Sequence, residues 1–234
     1  MKRTNNQNQE DFLNNIAEKL GRPRMAGARS PKWNHFPWDH LYQNATQEGL
    51  IDEFATNFEQ IGGHLKRVKT QGVIQEIKQI IEQYKAKKVL AWQDERLNEF
   101  GLDKNIIGSE VIFWDFKQGF ESLTNYAKES QIGITFTELG LAETGTIVLF
   151  NEGGKGRSVS LLPEVHIAIL PGSQIQPRLT QALQKIKETY DEQGKLPSLI
   201  NFITGPSRTS DIEMVLTIGV HGPKELFVLL VEDL

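Results

Sequence analysis

The chain has 234 residues, of which 38% are hydrophobic and 24% charged, as expected of a globular protein with a sizeable core. Its formal net charge of −4 does not favour nucleic-acid binding, and the lack of cysteine excludes disulfides, thiolate nucleophiles and thiolate metal ligands. With no apolar signal segment and no run of membrane-spanning length, we expect a cytoplasmic protein without a membrane span.

The N-terminal region is predicted to form a helix followed by an extended arm. Apolar residues from Phe12 to Leu20 repeat at helical spacing, and Gly21 with Pro23 ends the helix. Residues 22–40 are rich in Pro, Arg and aromatic side chains and show no periodicity, which indicates an arm. The aromatic side chains pin this arm to its own domain, the alternative that we favour, or to another subunit.

Short apolar segments alternate with amphipathic helices from residue 46 onward. The predicted strands are 64–68, 87–92, 110–115, 133–139, 146–150, 166–171, 199–204, 214–220 and 226–232, and the predicted helices are 46–60, 73–84, 119–130 and 179–190. Strands of this kind are buried on both faces, so the pattern predicts an α/β fold with a mixed, mostly parallel sheet flanked by helices. The short connections in the second half predict added antiparallel pairing. We therefore divide the chain into an N-terminal helix and arm, 1–45, and one α/β domain, 46–234.

The stretch TGPSRTSDIE, residues 204–213, has the composition of a binding loop. Gly205 allows the backbone to approach a ligand closely, the hydroxyl groups can cap a turn or donate to an anion, and Arg208 offers a planar fork for phosphate or carboxylate. Ligands of parallel sheets bind beyond the carboxyl ends of the strands, so we expect the loop at that edge. The residues leave open a second interpretation, a capped turn in which Arg208 pairs with Asp211 or Glu213.

A second candidate is the sequence Glu143-Thr144-Gly145, which leads into the strand 146–150. A carboxylate before a tight glycine turn is a candidate nucleophile, general base or ligand acceptor. On the residues alone, a solvated glutamate at the start of a strand is the simpler interpretation.

Other polar features carry less information. The glycine-rich segment 151–158 lacks the order of a phosphate-binding P-loop, so we interpret it as a flexible connection, with Lys155 or Arg157 as candidates to point into a cleft. His166 and His221 lie at strand ends, where histidines are more often structural than catalytic. The five histidines have no metal-ligand spacing, so we expect no metal site.

Four stretches in order resemble the lactate utilization protein C family, also described as the LUD domain. They are AETGTIVL (142–149), GRSVSLLPEVHIAIL (156–170), TGPSRTSDIE (204–213) and GVHGPKEL (219–226). With the N-terminal helix and arm, the resemblance extends over nearly the whole chain. It implies a fold similar to the NagB/RpiA/CoA-transferase-like group, and a bacterial role in oxidising L-lactate to pyruvate with two iron–sulfur partner proteins. The lack of cysteine agrees with clusters held by the partners.

The resemblance also implies which positions form the site. The matching positions are Glu143, Thr144, Gly145, Gly205, Ser207, Arg208, Thr209, Asp211 and Glu213, while His166, His221 and Gly222 match without an assigned role. We expect Arg208 and the loop N–H groups to hold a carboxylate or phosphate, with Asp211 and Glu213 fixing Arg208 or accepting from the ligand. Residues 143–145 would form the other wall. The analogy to CoA transferases adds the hypothesis that Glu143 is a covalent nucleophile, although fold alone does not transfer function.

Three functions follow from these observations. The leading one is a component of a lactate-oxidising system, with no cofactor of its own and a small anionic or nucleotide-like ligand in the cleft. The alternatives are an independent transferase or isomerase acting on a CoA-linked or phosphorylated metabolite, and a non-catalytic assembly scaffold. The sequence leaves open whether the chain is an enzyme or an accessory subunit, and whether it forms a homo-oligomer.

Overall fold

The computed structural model describes residues 4–24, 38, 40–209 and 217–234. Contacts separate two units, Met1–Gln43 and Asn44–Leu234. The first unit contains the predicted helix, α1 (Thr4–Lys19). Most of the predicted arm, including Trp33, lies outside the described residues, so its packing stays a prediction.

The second unit alternates helices with strands. Its helices are α2 (Gln47–Gln60), α3 (Val73–Gln83), α4 (Glu95–Glu99), α5 (Phe120–Glu129), α6 (Ser158–Leu161) and α7 (Leu179–Gln193). Its strands are β1 (His64–Val68), β2 (Lys88–Trp92), β3 (Asn105–Ile106), β4 (Ser109–Trp114), β5 (Ile132–Phe136), β6 (Leu139–Leu141), β7 (Thr146–Asn151), β8 (Val165–Pro171), β9 (Ile175–Gln176), β10 (Leu199–Ile203), β11 (Arg208–Thr209), β12 (Thr217–Ile218) and β13 (Glu225–Val231). The four predicted helices of this unit are all present.

The main sheet has seven strands in the order β1-β13-β8-β5-β2-β4-β3. All neighbouring pairs are parallel except β3 with β4. Strands β5 and β8 are buried along their whole length, which explains their nearly continuous apolar sequences. The predicted mixed, mostly parallel sheet flanked by helices is therefore confirmed.

A second sheet has the order β10-β7-β6-β9, with β7 antiparallel to both β6 and β10. Helix α7 covers it, and the buried residues between them form a separate small core. The core consists of Leu139, Leu141, Val148, Ala182 and Ile186. The antiparallel pairing expected in the second half is thus present, but it belongs to a different sheet. A third, two-stranded sheet pairs β11 with β12.

One predicted strand, 133–139, is wrong because it is two strands in different sheets. The backbone N–H of Thr137 still donates to Ile169 of the main sheet, at 2.8 Å, whereas that of Glu138 donates to Val148 of the second sheet, at 3.0 Å. The chain therefore passes from one sheet to the other at these two residues. The predicted strand 214–220 is described only from residue 217, where it is reduced to β12.

Candidate functional site

The turn at residues 142–145 is held against the end of helix α2. The side-chain amide of Asn57 donates to the carbonyl oxygens of Ala142 and Glu143, at 2.8 and 3.1 Å. Gly145 has φ of +58°, and a Cβ there would lie 2.5 Å from the backbone nitrogen of Phe58. A glycine is therefore required at this position for two reasons, its backbone conformation and the close approach of the helix.

The carboxylate of Glu143 is engaged in an ion pair. Its Oε2 accepts a hydrogen bond from Nε of Arg178 at 2.8 Å, and both side chains are partly exposed. This contact orients the carboxylate without desolvating it, so the nucleophilic role proposed for Glu143 stays a prediction.

A chain of threonine hydroxyl groups joins the two predicted walls of the site. The Oγ1 atoms of Thr144 and Thr146 are 2.7 Å apart, and those of Thr146 and Thr204 are 2.8 Å apart. Thr204 directly precedes Gly205. The structure therefore brings the stretch at 143–145 beside the start of the stretch at 204–213, as the sequence analysis expected.

The expected position of the loop after β10, at the carboxyl ends of the parallel strands, is wrong. The N–H of Ser207 donates to the carbonyl oxygen of Pro223, which precedes β13, at 3.0 Å. The guanidinium of Arg208 donates to the carbonyl of Ile61, which precedes β1. The loop therefore lies at the amino ends of these strands, the amino edge of the main sheet. The reason is that β10 pairs antiparallel with β7 in the second sheet, so its direction is not that of the parallel strands.

Arg208 contacts a helix end rather than a carboxylate among the described residues. Ile61 caps the C-terminus of α2, where the carbonyl oxygens carry partial negative charge, so a cation is favourable there. Asp211 and Glu213 lie outside the described residues, and Thr209 pairs with Thr217 in the small third sheet. The anion-binding roles assigned to these positions stay predictions.

A cavity of about 120 Å³ lies at the amino edge. Three of the four stretches singled out in the sequence contribute to its wall. The contributing residues include Ser160, His166, Gly205, Ser207, His221 and Gly222. We call this the amino-edge cavity. His166 and His221, which match the family pattern without an assigned role, therefore line the same cavity as the predicted ligand loop.

His166 is buried and uncharged in this cavity wall. Its side chain is only 1% exposed, and its Nε2 is 2.8 Å from Oγ1 of Thr135. Burial lowers the pKa of His166 to about 3, because the charged form loses its hydration. At neutral pH this imidazole is thus a hydrogen-bonding group and not a cation.

The buried imidazole of His166 predicts a pH dependence of stability. Its folded pKa of about 3 lies below the unfolded value of about 6.5, so the unfolded state binds the proton first. The stabilisation is present above pH 6.5 and is lost as the pH falls, by up to about 1.4 kcal/mol per pH unit. Urea unfolding at several pH values between 7 and 5 should give a steeper loss for the wild type than for His166→Gln. Equal slopes in the two proteins would contradict this.

Four charged side chains cluster at the opposite, carboxyl edge of the main sheet. Asp94 follows β2, Glu138 follows β5, and Arg96 donates to both carboxylates at 2.6 Å. Nζ of Lys155 lies 3.1 Å from Glu138 and 3.3 Å from Asp94. We call these four residues the charged quartet.

The two carboxylates of the charged quartet stay ionised at neutral pH. Burial alone would raise the pKa of Asp94 and of Glu138, but hydrogen bonds from Arg96 and the positive charges of Arg96 and Lys155 lower it by more. The guanidinium also lies 3.9 Å from the ring centre of Phe136. The quartet is thus a compensated set of charges that accepts and donates hydrogen bonds without titrating near pH 7.

The charged quartet occupies the topological switch point of the main sheet. From β2 the chain continues to the neighbouring β4 on one side, and from β5 it continues to β8 on the other side. The crevice between two such strands is the usual ligand site of open α/β sheets. Cavities of about 300 and 420 Å³ adjoin it, sharing Arg96, Glu138 and Gln174.

Sequence reasoning missed most of this crevice. Asp94 and Arg96 directly follow a predicted strand, which is a usable signal, whereas Glu138 was placed inside the predicted strand 133–139. Of the four residues of the charged quartet, Lys155 alone was named as a candidate to face a cleft.

Comparison with known proteins shows the family. The family model described as the LUD domain matches residues 51–231. The Lactate utilization protein C of Halalkalibacterium halodurans is 41% identical over 228 residues, which cover 97% of this chain and 99% of that protein. The proteins of the same name from Macrococcus caseolyticus and Bacillus subtilis are 39% and 38% identical, over 100% and 97% of this chain and 100% and 97% of their own lengths.

A solved structure has the same fold. The crystal structure of a DUF162 family protein from Deinococcus radiodurans matches with a TM-score of 0.59 and 18% sequence identity, covering 80% of this chain and 99% of that one. In the described part of this chain, no helix has the length and apolar character needed to cross a membrane, and no group of three potential ligand side chains is placed to hold a metal ion. The matched family model and the nearly full-length relatives establish that this chain belongs to the LUD domain family.

Proposed function

We propose that this chain is a cytoplasmic component of an L-lactate utilization system, in which it assists the oxidation of L-lactate to pyruvate. The observation that carries the proposal is the similarity, at about 40% identity and over nearly the whole length, to proteins called Lactate utilization protein C. Similarity at this level over nearly all of both compared chains supports a shared role better than one shared domain would.

The oxidation of L-lactate to pyruvate releases two electrons and therefore requires an electron acceptor. This chain has no cysteine, so it cannot bind an iron–sulfur cluster through thiolates. We assign electron transfer to two iron–sulfur partner proteins, and to this chain the role of a subunit that binds a small anion.

The amino-edge cavity is the site at which we place that anion. With about 120 Å³ it is smaller than the range of about 300–1,000 Å³ that holds drug-sized ligands, so it suits a small carboxylate. Ser207 and His221 at its wall supply polar groups, and Gly205, with φ of +85°, gives the loop a conformation that other residues resist.

The test is purification of the tagged chain from lactate-grown cells, followed by measurement of L-lactate-dependent dye reduction. We expect iron-containing partner proteins in the eluate, with activity that depends on this chain. His221→Ala should lower the rate at least about tenfold, which corresponds to about 1.4 kcal/mol, because it removes an exposed polar group of the cavity without disturbing the core.

His64→Ala is the matched control, since His64 is also an exposed histidine but pairs with Glu225 outside the cavity lining. It should retain the wild-type rate. A solitary, colourless eluate without lactate-dependent dye reduction would refute the subunit role. Equal rates for both histidine variants would refute only the placement of the anion in the amino-edge cavity.

A further inference from the structure

A third cavity, of about 490 Å³, lies at the carboxyl end of β4. One wall is aromatic, made of Trp114, Phe116 and Phe120, and the other is the glycine-rich segment 151–158. Phe116 and Phe120 are 55% and 70% exposed, so two phenylalanine rings face solvent at this cavity. We call it the aromatic pocket. It shares Lys155 with the cavity beside the charged quartet.

The glycine-rich segment is anchored rather than a free connection. Its carbonyl oxygens accept hydrogen bonds from the backbone N–H of Gln93 and from Nε1 of Trp92, at 3.1 and 2.9 Å. A Cβ on Gly154 would lie 2.5 Å from the Cβ of Gln93, and one on Gly156 would lie 2.2 Å from the indole of Trp114. The glycines therefore let the backbone lie directly on the ends of β2 and β4.

Several hydrogen-bond donors of the aromatic pocket have no acceptor within the described part of the chain. The guanidinium of Arg157 is exposed and has no hydrogen bond or ion pair there, and the N–H group of Gly153 donates to no described oxygen. The indole N–H of Trp114, a side chain only 2% exposed, is buried beside Gly156 and has no acceptor among the described residues. A cation beside unpaired N–H groups supplies the elements from which phosphate sites are built.

We propose that the aromatic pocket binds a purine nucleotide, free or as the nucleotide part of a larger cofactor. The base stacks on Phe116 and Phe120, and the phosphate groups lie on the N–H group of Gly153 and on Arg157. Aromatic rings next to a cation favour a nucleotide over a bare anion, because the base can stack on the rings while the phosphate groups bind the cation. The site lies at the edge opposite the amino-edge cavity and does not depend on the function proposed for that cavity.

The test is titration of the intact protein with ADP, followed by calorimetry and by tryptophan fluorescence, with adenosine and inorganic pyrophosphate as separate probes. Arg157→Ala should weaken ADP binding about tenfold and leave adenosine binding unchanged. Phe116→Ala should weaken both ADP and adenosine about tenfold. Both side chains are exposed, so both variants should fold, and Phe116→Ala loses only an edge contact with the ring of Trp114.

Two control variants complete the experiment. Lys128→Ala removes an exposed cation from the last turn of α5, and Phe202→Ala removes an exposed ring from β10, both outside the pocket lining. Each should bind ADP as the wild type does. Failure of ADP to bind, or ADP binding that neither pocket variant weakens, would overturn the proposal. Binding of pyrophosphate as tight as that of ADP would also overturn it, since the pocket would then be an anion site without a base site.

Discussion

Replacing Gly133 with alanine is expected to abolish stable folding, or to lower the free energy of unfolding by at least about 3 kcal/mol. Gly133 lies in β5, in the middle of the main sheet, where it is paired with β2 and β8. A Cβ at this position would lie 1.8 Å from the carbonyl oxygen of Val159 in α6. Because the obstacle is backbone, no change of rotamer relieves it, and α6 would have to move off the sheet.

The matched control for this substitution is Gly72→Ala. The backbone at Gly72 is helical, with φ of −90°, and the nearest atom to a new Cβ is 3.9 Å away, on Val68. The free energy of unfolding of this variant should lie within about 0.5 kcal/mol of that of the wild type, since alanine there only restricts the unfolded chain. Urea unfolding followed by circular dichroism measures both. A Gly133→Ala protein within about 1 kcal/mol of the wild type would show that α6 is not held against β5 as described.

Removing the guanidinium of Arg96 from the charged quartet should lower the free energy of unfolding by the second-largest amount, after Gly133→Ala. In Arg96→Ala, the buried carboxylate of Asp94 and the partly buried one of Glu138 keep only Lys155 as a cation. Leaving a buried charge without its partner typically costs about 3–5 kcal/mol, and the remaining lysine places this variant near the lower value. Unfolding in urea at pH 7 provides the measurement.

The pH dependence of the Arg96→Ala variant gives a second criterion. The pKa values of Asp94 and Glu138 are lowered in the folded wild type, so their stabilisation is present above the unfolded pKa values and is lost as the pH falls through the folded ones. The difference in unfolding free energy between the wild type and Arg96→Ala should therefore become smaller as the pH falls. Arg67→Ala is the control, because its ion pair with Asp52 is exposed, and it should cost less than about 1 kcal/mol. If that difference did not depend on pH, the loss of stability would come from lost packing of Arg96 on Phe136 and not from the unpaired carboxylates.

Much of the main sheet could be predicted from the sequence because its strands carry their own signal. Strands such as β8 are apolar at nearly every position, and this is the pattern of a parallel strand covered on both faces. The amphipathic period of α3 likewise identified a helix that buries one face. These local patterns reflect burial, so they predict the type of element well.

The assignment of strands to sheets could not be predicted in the same way. The apolar residues of β6 and β10 are compatible with either sheet, and the passage between sheets at Thr137 and Glu138 depends on two hydrogen bonds to distant strands. Because the loop after β10 was assigned to the parallel sheet, it was expected at the wrong edge. The mutual proximity of residues 143–145 and 204–205 was nevertheless predicted.

The order of the strands has a consequence for folding during synthesis. Strand β1 pairs only with β13 within the described sheet, and the other edge of β13 pairs with β8. During synthesis, pairing can begin among strands β2, β4, β5 and β8. Strand β1, in contrast, has no partner in this sheet until residues 225–231 have been made. Until then the growing chain exposes the unpaired edge of β8, a template for association with other nascent chains. The strand that joins β1 to the rest of the sheet is thus made long after β1 itself.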